Sequence, residues 1–296
     1  MTERIVDVSE VGAYLHVQDG RLLVESGGEV LGDVPLHHLA GVILTHPRVT
    51  ISRGALAGLA EAGAVVVVCG ENFLPVGMQL GLTGYHAPAR RLAAQAQVGR
   101  PVCKRAWQQI VQSKIRNQAA VLRELRGDDG GLGALAGRVG SGDPQNVEAQ
   151  AARRYWPLLF DRAEFRRKPE APDENRMLNY GYAILRAMTA RAICAAGLHP
   201  GLGVHHHHRN NAYCLADDLM EPLRPFVDRA VVELAGTFGA DAPLDRDVKR
   251  ELISAVYGRV ELGGEQRTVL DALGRIAGSL AGLFEKRCVR LVLPSV

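Results

Sequence analysis

The sequence predicts an α+β protein, with a small β-rich N-terminal domain followed by a larger, all-α C-terminal domain. The first 85 residues hold short apolar and β-branched runs separated by turn residues, a pattern typical of strands. From about residue 88 the chain is rich in Ala, Gln, Leu and Arg over long segments, which favours helices. We place the boundary at Ala87-Pro88, because the residue before a proline is disfavoured in a helix, and expect domains at 1–86 and 87–296.

Local signals define the elements of the N-terminal domain. Residues alternate in polarity from Ala13 to Glu25 around Asp19-Gly20, which predicts a β-hairpin because this dipeptide accepts the positive φ of a tight turn. Ser52 is well placed to cap the N-terminus of a small helix over residues 53–62. Further strands are predicted at Val42–Leu44, Val49–Ile51 and Ala64–Val68, and a last strand or connection at Pro75–Tyr85.

The C-terminal domain is predicted to consist of helices separated by glycine and proline residues. Asp143-Pro144 predicts a helix start, since the Asp side chain caps free amides and proline at the first helical position loses no hydrogen bond. Residues 161–173 contain too many charges and prolines to pack, and so predict a mobile loop. The predicted helices are Arg90–Arg126 with a break at Gly99–Pro101, a short one within 128–142, one from 143 to about 160, Met177–Ala196 ended by Gly197, and Leu215–Ala235 kinked by Pro222 and Pro225.

The composition, 47% hydrophobic and 23% charged, excludes wholesale disorder. The longest apolar run, Ala64 to Cys69, is far shorter than the roughly 20 residues that span a bilayer, and the N-terminus has no signal-peptide pattern. We therefore expect a soluble cytoplasmic protein without a membrane partner. The five cysteines form no CxxC pair, which predicts reduced thiols rather than a disulfide framework or a zinc knuckle.

Charge is divided unevenly along the chain. The first 85 residues carry four Lys or Arg against nine Asp or Glu, whereas the rest carries 31 against 23. Residues 86–120 contain seven basic residues and no acid. Solvated helices are usually mixed in sign, so this stretch favours a polyanionic partner such as nucleic acid over an ordinary basic surface.

The most unusual string is the histidine run of residues 203–211, GVHHHHRNN. Successive side chains point in different directions, so at most one or two of the four imidazoles can serve one site. Shortly afterwards Asp217, Asp218 and Glu221 follow helical spacings of three and four, which places two carboxylates on one face. The alternative is a hydrated acidic face whose carboxylates pair with Arg224 and Arg229.

Glu148 is the third candidate element, five residues inside the helix predicted from Asp143-Pro144. Its neighbours Ala149, Ala151 and Ala152 are small enough to let a ligand approach. If the histidine loop and the acidic helix converge on Glu148, they supply carboxylates and one imidazole without sulfur. Such a set suits Mg²⁺ or Mn²⁺ better than zinc.

These segments resemble a known family, the CRISPR-associated integrases of spacer acquisition. The resemblance covers nearly the whole chain and rests on GDPQNVEAQAARRYW around Glu148 and on residues 175–228, with a GVHH-to-LADDLMEP form most similar to members of type II systems. It implies a catalytic metal site of Glu148, His206 and Glu221 that holds Mg²⁺ or Mn²⁺, with His205 and Asp218 as possible additional members. The extension to His207 and His208 departs from the family pattern.

The resemblance also implies a function and partners. It implies attack of a DNA 3′-hydroxyl on phosphodiesters of a CRISPR array, with endonuclease activity at the same site. It implies a homodimer formed through the strand domain, and a heterohexamer with the small second CRISPR-associated protein. Sequence-independent DNA contacts are predicted at Arg90, Arg91, Lys104, Arg105, Arg166, Arg167, Lys168 and Arg186.

Two other functions remain open from the sequence. A zinc hydrolase could be built on the histidine run, although the chain lacks HExxH spacing. A non-catalytic DNA-binding scaffold would leave the acidic residues with structural roles only.

Overall fold

The computed structural model describes residues 4–71, 75–79, 81–82 and 88–295. The chain divides into two compact units, residues 1–86 and 87–296. The first is rich in strands and the second is mainly helical, which confirms the predicted order of a β-rich part followed by a helical part. Within the described residues, no helix is both long and apolar enough to cross a bilayer.

The first unit contains two four-stranded sheets. One has the strand order β4-β3-β2-β6, and the other has the order β1-β5-β7-β8, in which β1, β5 and β7 run parallel. The elements are β1 Arg4–Val8, β2 Tyr14–Gln18, β3 Arg21–Ser26, β4 Glu29–Pro35, β5 Leu39–Leu44, β6 Thr50–Ile51, α1 Arg53–Glu61, β7 Val65–Cys69 and β8 Pro75–Gln79.

The local predictions for this unit are confirmed. Asp19 and Gly20, with φ of 50° and 71°, form the turn between β2 and β3. Ser52 Oγ accepts a hydrogen bond from the Ala55 amide at 3.1 Å and caps α1. The predicted last strand is present as β8, and most of the connection up to residue 85 lies outside the described residues.

The second unit packs around one long helix, α3, whose buried residues include Trp107, Ile110, Ile115 and Leu122. Gly99 precedes α3 and Pro101 lies in its first turn, at the predicted break. The helices are α2 Pro88–Ala96, α3 Arg100–Arg126, α4 Leu132–Ala136, α5 Val147–Leu159, α6 Asn175–Ala195, α7 Cys214–Leu219, α8 Arg224–Phe238, α9 Arg246–Val256 and α10 Val269–Phe284.

The prediction of an all-α C-terminal domain is wrong in one segment. Strands β9, Arg259–Leu262, and β10, Glu265–Thr268, form an antiparallel hairpin. The signal is present in the sequence: Gly263-Gly264 supplies two positive φ values, 65° and 82°, between alternating residues. Val260 and Leu262 form the buried face of this hairpin.

The helix that carries Glu148 begins later than predicted. α5 starts at Val147, so Glu148 lies in its first turn rather than five residues inside it. The capping role of Asp143 is present, since its carboxylate accepts hydrogen bonds from the amides of Val147 at 2.9 Å and Glu148 at 3.0 Å. Asn146, in the left-handed region, is the residue directly before the helix, and its side-chain oxygen accepts a hydrogen bond from the Ala149 amide at 3.4 Å.

Residues 161–173 contain no helix or strand, as predicted, but they pack against the unit. Phe165 is buried beside Phe160, with ring centroids 4.2 Å apart. Arg162 forms an ion pair with buried Glu174 at 2.5 Å. The prediction that this segment cannot pack is therefore wrong, because one aromatic anchor and paired charges offset its polar composition.

The helix predicted over Leu215–Ala235 is interrupted rather than only kinked. α7 ends at Leu219, a 3₁₀ turn spans Glu221–Leu223, and α8 begins at Arg224. Proline at position 222 cannot donate the hydrogen bond that would continue the first helix. The interruption places Glu221 at the start of a turn, where its carboxylate faces α3.

Candidate metal centre

Glu148 and Glu221 converge on a single positive charge, the ammonium group of Lys114. Lys114 Nζ on α3 lies 2.6 Å from Glu148 Oε1 and 2.6 Å from Glu221 Oε2. The two carboxylate oxygens therefore lie within about twice that distance of one another. Residues 73 positions apart in the chain are brought together by the packing of α5 and the 3₁₀ turn against α3.

A second cation, Arg224, neutralises the other side of Glu221. Arg224 Nε lies 3.3 Å from Glu221 Oε1. Burial raises the pKa of Glu221, but Arg224 and Lys114 outweigh it and hold this pKa below its usual value. Burial lowers the pKa of Lys114, and the charges of Glu221 and Glu148 outweigh that and raise it. Both partners are therefore charged, and each buried charge is paired.

Asp218 fixes the conformation of the histidine loop through hydrogen bonds to its backbone. Its buried carboxylate accepts hydrogen bonds from the amides of Val204 at 2.7 Å, His205 at 3.0 Å and His206 at 3.1 Å. It also lies 2.6 Å from His206 Nδ1. A carboxylate only accepts, so Nδ1 donates and the lone pair of Nε2 is left for a cation or a proton. The hydrogen bond to Asp218 raises the pKa of His206.

Gly203 makes this arrangement possible. A Cβ atom at this position would clash with the carbonyl oxygen of His206 and lie 2.9 Å from Asp218 Oδ2. The loop can therefore fold back onto Asp218 only if residue 203 has no side chain.

The four histidines have different surroundings. His205 stacks on buried Trp107, with ring centroids 4.1 Å apart and an interplanar angle of 2°. Burial lowers the pKa of His205, against the opposing charges of Asp218 and Glu148. His207 and His208 are exposed. The loop thus holds two imidazoles in defined places, and the charges of Glu148 and Glu221 act on His205 and His206 respectively.

The donor set is compatible with a hard divalent cation. In the described part of the chain, no three His, Cys, Asp or Glu side chains stand close enough to hold a metal ion as they are. At this site the Lys114 ammonium lies between Glu148 and Glu221. Two carboxylate oxygens facing one positive charge are the ligands that Mg²⁺ or Mn²⁺ prefers.

A buried cluster of hydroxyl and carboxyl groups lies next to Arg224. Asp228 accepts hydrogen bonds from Tyr155, at 3.0 Å, and from Tyr182. The Arg224 guanidinium lies 4.8 Å from the centre of the Tyr182 ring and so connects this cluster to Glu221. Tyr155 and Tyr182 are buried and pack in the core of the helical unit. Burial raises the pKa of Asp228 to about 7.

Asp228 is expected to make the stability of the protein pH-dependent. Its pKa is about 7 in the folded state against 3.8 for an ordinary Asp, so the folded state binds the extra proton between these values. The free energy of unfolding should therefore fall as pH rises from about 4 to above 7, by an amount on the order of 4 kcal/mol. The free energy of unfolding is measured in urea between pH 5 and 8. It should not fall with pH in Asp228→Asn, whereas it should still fall in the control Asp241→Asn, in which an exposed residue is changed. Equal pH slopes for both variants would contradict the assignment.

The predicted DNA contacts fall into two groups. Arg91, Arg167 and Arg186 are engaged within the protein, with the Ala196 carbonyl at 2.6 Å, Asn179 at 2.6 Å and Asp217 at 2.7 Å respectively. Exposed Arg90 pairs with Glu285 at 3.1 Å. Exposed Arg166 donates hydrogen bonds to the carbonyl oxygens of Ala163 and Phe165, both at 2.8 Å. The remaining three, Lys104, Arg105 and Lys168, are exposed.

Two residues of the site, Lys114 and Trp107, could not be placed correctly from the sequence. Lys114 belongs to the acid-free basic stretch, and only the structure shows that it faces two acids. Trp107 carries no signal in the sequence beyond an apolar helix position, yet it supports His205.

The molecule is thus a two-domain protein, a strand-rich unit followed by a helical unit, and the helical unit holds two carboxylates that face one ammonium group. Residues 6–238 match the family described as "CRISPR associated protein Cas1". The CRISPR-associated endonuclease Cas1 of Neisseria meningitidis serogroup C (strain 8013) is 36% identical over 288 residues, covering 96% of this chain and 94% of the relative. The chain therefore belongs to the Cas1 family.

Solved structures share the fold. A casposase bound to an integration product has a TM-score of 0.78 at 19% identity, covering 99% of this chain and 93% of that chain. A chain of a Cas6-RT-Cas1–Cas2 complex has a TM-score of 0.75 at 20% identity, covering 97% of this chain and 35% of that much longer chain.

Proposed function

We propose that this protein is a divalent-metal-dependent DNA integrase and endonuclease that inserts captured DNA fragments into a CRISPR array. The observation that supports it most strongly is the convergence of Glu148 and Glu221 on one cation position. Asp218 fixes the His206 ring, and the charge of Glu221 acts on that ring. Membership of the Cas1 family supplies the reaction class.

In strand transfer, the oxygen of a DNA 3′-hydroxyl loses its proton and forms a bond to the phosphorus of a phosphodiester. The bond from this phosphorus to the 3′-oxygen of the target strand breaks, and that oxygen leaves and takes up a proton. Mg²⁺ or Mn²⁺, if bound at this site, would supply positive charge that stabilises the negative charge developing on the phosphate and on the attacking and leaving oxygens. Glu148 and Glu221 would hold the cation, with His206 as a third ligand or as the group that accepts the hydroxyl proton. His206 can do either, because Asp218 fixes the donor hydrogen on Nδ1 and leaves the lone pair on Nε2.

DNA is proposed to bind the helical unit through phosphate contacts. Lys104, Arg105, Arg166 and Lys168 are accessible to solvent and so can reach a backbone. Such contacts do not depend on sequence, which suits fragments of varied origin, and they weaken as salt increases. We propose that the acidic strand unit forms the homodimer and that the small second CRISPR-associated protein completes a heterohexamer in the cytoplasm.

Removing divalent metal is expected to abolish strand transfer. The assay follows a labelled 3′-hydroxyl fragment entering a plasmid that carries a repeat array, with the purified protein and its small partner in EDTA. Mg²⁺ or Mn²⁺ should restore the product, because oxygen ligands prefer these ions, and Zn²⁺ alone should not. Restoration by Zn²⁺ alone would favour the zinc hydrolase, and full activity in EDTA would favour a scaffold that does not use the carboxylates.

A further inference from the structure

We propose that Lys114 is a resident counter-ion that fills the cation position between Glu148 and Glu221 and must leave it when a divalent ion binds. The inference rests on the proposed function and adds a residue that regulates metal loading. Its ammonium is 2.6 Å from each carboxylate, so it occupies the space between the oxygens that would bind the ion.

The Lys114 ammonium and a divalent metal ion cannot occupy this position at the same time. A Mg²⁺ ion needs oxygens at about 2.0–2.1 Å and would therefore lie between the same two oxygens that now contact Nζ. An ammonium and a divalent ion at that spot would overlap and repel. Metal binding at Glu148 and Glu221 is consequently an exchange of one cation for another.

Without a cation the site would be unfavourable. Glu221 is buried and Glu148 is half-buried, so two neighbouring carboxylates would repel each other in a poorly solvated place. Lys114, itself buried, removes that repulsion in the metal-free protein. It also holds the carboxylates in the converged arrangement that a metal ion needs.

Arg224 does not have the same role. It contacts the other oxygen of Glu221, Oε1, and its guanidinium lies over the Tyr182 ring. It can keep these contacts when an ion enters between the carboxylates. Lys114 is the cation that moves, since its ammonium is a compact charge on a flexible four-carbon stem.

Removing the resident cation should tighten metal binding. If Lys114 fills the position for at least nine-tenths of the time, its loss raises the apparent Mn²⁺ affinity by about tenfold or more. The experiment is calorimetric titration of the DNA-free protein with Mn²⁺ alone, comparing wild type, Lys114→Met, Lys114→Arg and Lys104→Met. We expect tighter binding only in Lys114→Met, because Lys114→Arg keeps a competing charge and Lys104 has no part in the carboxylate pair.

Thermal unfolding gives a second measurement. Lys114→Met should melt below Lys104→Met in EDTA, and Mn²⁺ should raise its melting temperature by more than it raises that of wild type. If Lys114→Met does not fold without metal, Lys114→Gln keeps hydrogen bonds to the carboxylates without the charge and should show the same gain in Mn²⁺ affinity.

The outcomes separate the inference from the proposed function. Equal or weaker Mn²⁺ binding by Lys114→Met and Lys114→Gln, relative to wild type, would overturn the inference and leave the proposed function standing. No Mn²⁺ binding by wild type or any of these variants would overturn both.

Discussion

Glu148→Gln is expected to reduce strand transfer by at least about a hundredfold while DNA binding stays within a few-fold of wild type. The substitution keeps the size of the side chain but removes one of the two negative charges that face the cation position. Removing a residue that only hydrogen-bonds to a metal ligand lowers metal affinity or activity by about 10–100-fold. Removing a ligand itself should therefore lower activity by at least the upper value of that range. Strand transfer is measured on gels and DNA binding by fluorescence anisotropy.

The control for this substitution is Glu164→Gln, an exposed residue in the loop after α5. It removes the same charge from the same unit and should leave transfer unchanged. The backbone amide of Glu148 keeps its hydrogen bond to Asp143 in the variant, so α5 should stay capped. Wild-type transfer by Glu148→Gln would refute the catalytic assignment and favour the scaffold. A parallel loss of DNA binding would show that Glu148 acts through the fold instead.

Much of the fold could be predicted because its signals are local. The β2–β3 turn depends on Asp19-Gly20, and the start of α1 depends on Ser52 within three residues of the amide it caps. The hairpin at Gly263-Gly264 has a signal of the same kind in its dipeptide, although the prediction of an all-α domain overlooked it. Residues 161–173 show the limit of composition, since burial of Phe165 depends on Phe160 and the surrounding unit, not on the average polarity of the segment.

The site could be predicted only in part, because its geometry depends on distant residues. The residue types and the resemblance single out Glu148, His206 and Glu221, but no local rule places α5 beside the 3₁₀ turn. Lys114 shows the difficulty most clearly, since it lies 34 residues from Glu148 in the chain. The sequence shows that Lys114 is positively charged but not where its side chain points. The basic stretch that contains Lys114 therefore predicts DNA contacts, whereas in the structure Lys114 forms an internal ion pair.

Asp218→Asn is expected to lower the free energy of unfolding by about 2 kcal/mol and to weaken Mn²⁺ binding by about tenfold or more. The carboxylate of Asp218 is fully buried and accepts three backbone hydrogen bonds. An asparagine side chain can keep its oxygen toward the amides of Val204 and His205. Its NH₂ group then faces the backbone N–H of His206. Both groups are donors, so the His206 amide is left without an acceptor.

The effect on metal binding follows from the tautomer of His206. Beside Asp218 the hydrogen lies on Nδ1, and Nε2 has the lone pair that a cation needs. In the variant, the side-chain NH₂ group would instead donate to Nδ1, which moves the hydrogen to Nε2 and removes that lone pair. The fold and the metal site should therefore both weaken, although residue 218 need not touch the ion.

Asp217→Asn is the matched control for this prediction. It lies on the same helix, and its partners are Arg186 at 2.7 Å and Asn211 at 2.7 Å rather than the backbone of the histidine loop. The two variants are compared by urea unfolding and by calorimetric titration with Mn²⁺. Only Asp218→Asn should lose Mn²⁺ affinity, because only Asp218 sets the proton position on His206. Equal Mn²⁺ affinities would mean that His206 does not ligate the ion, and the imidazole would then act solely as a proton acceptor.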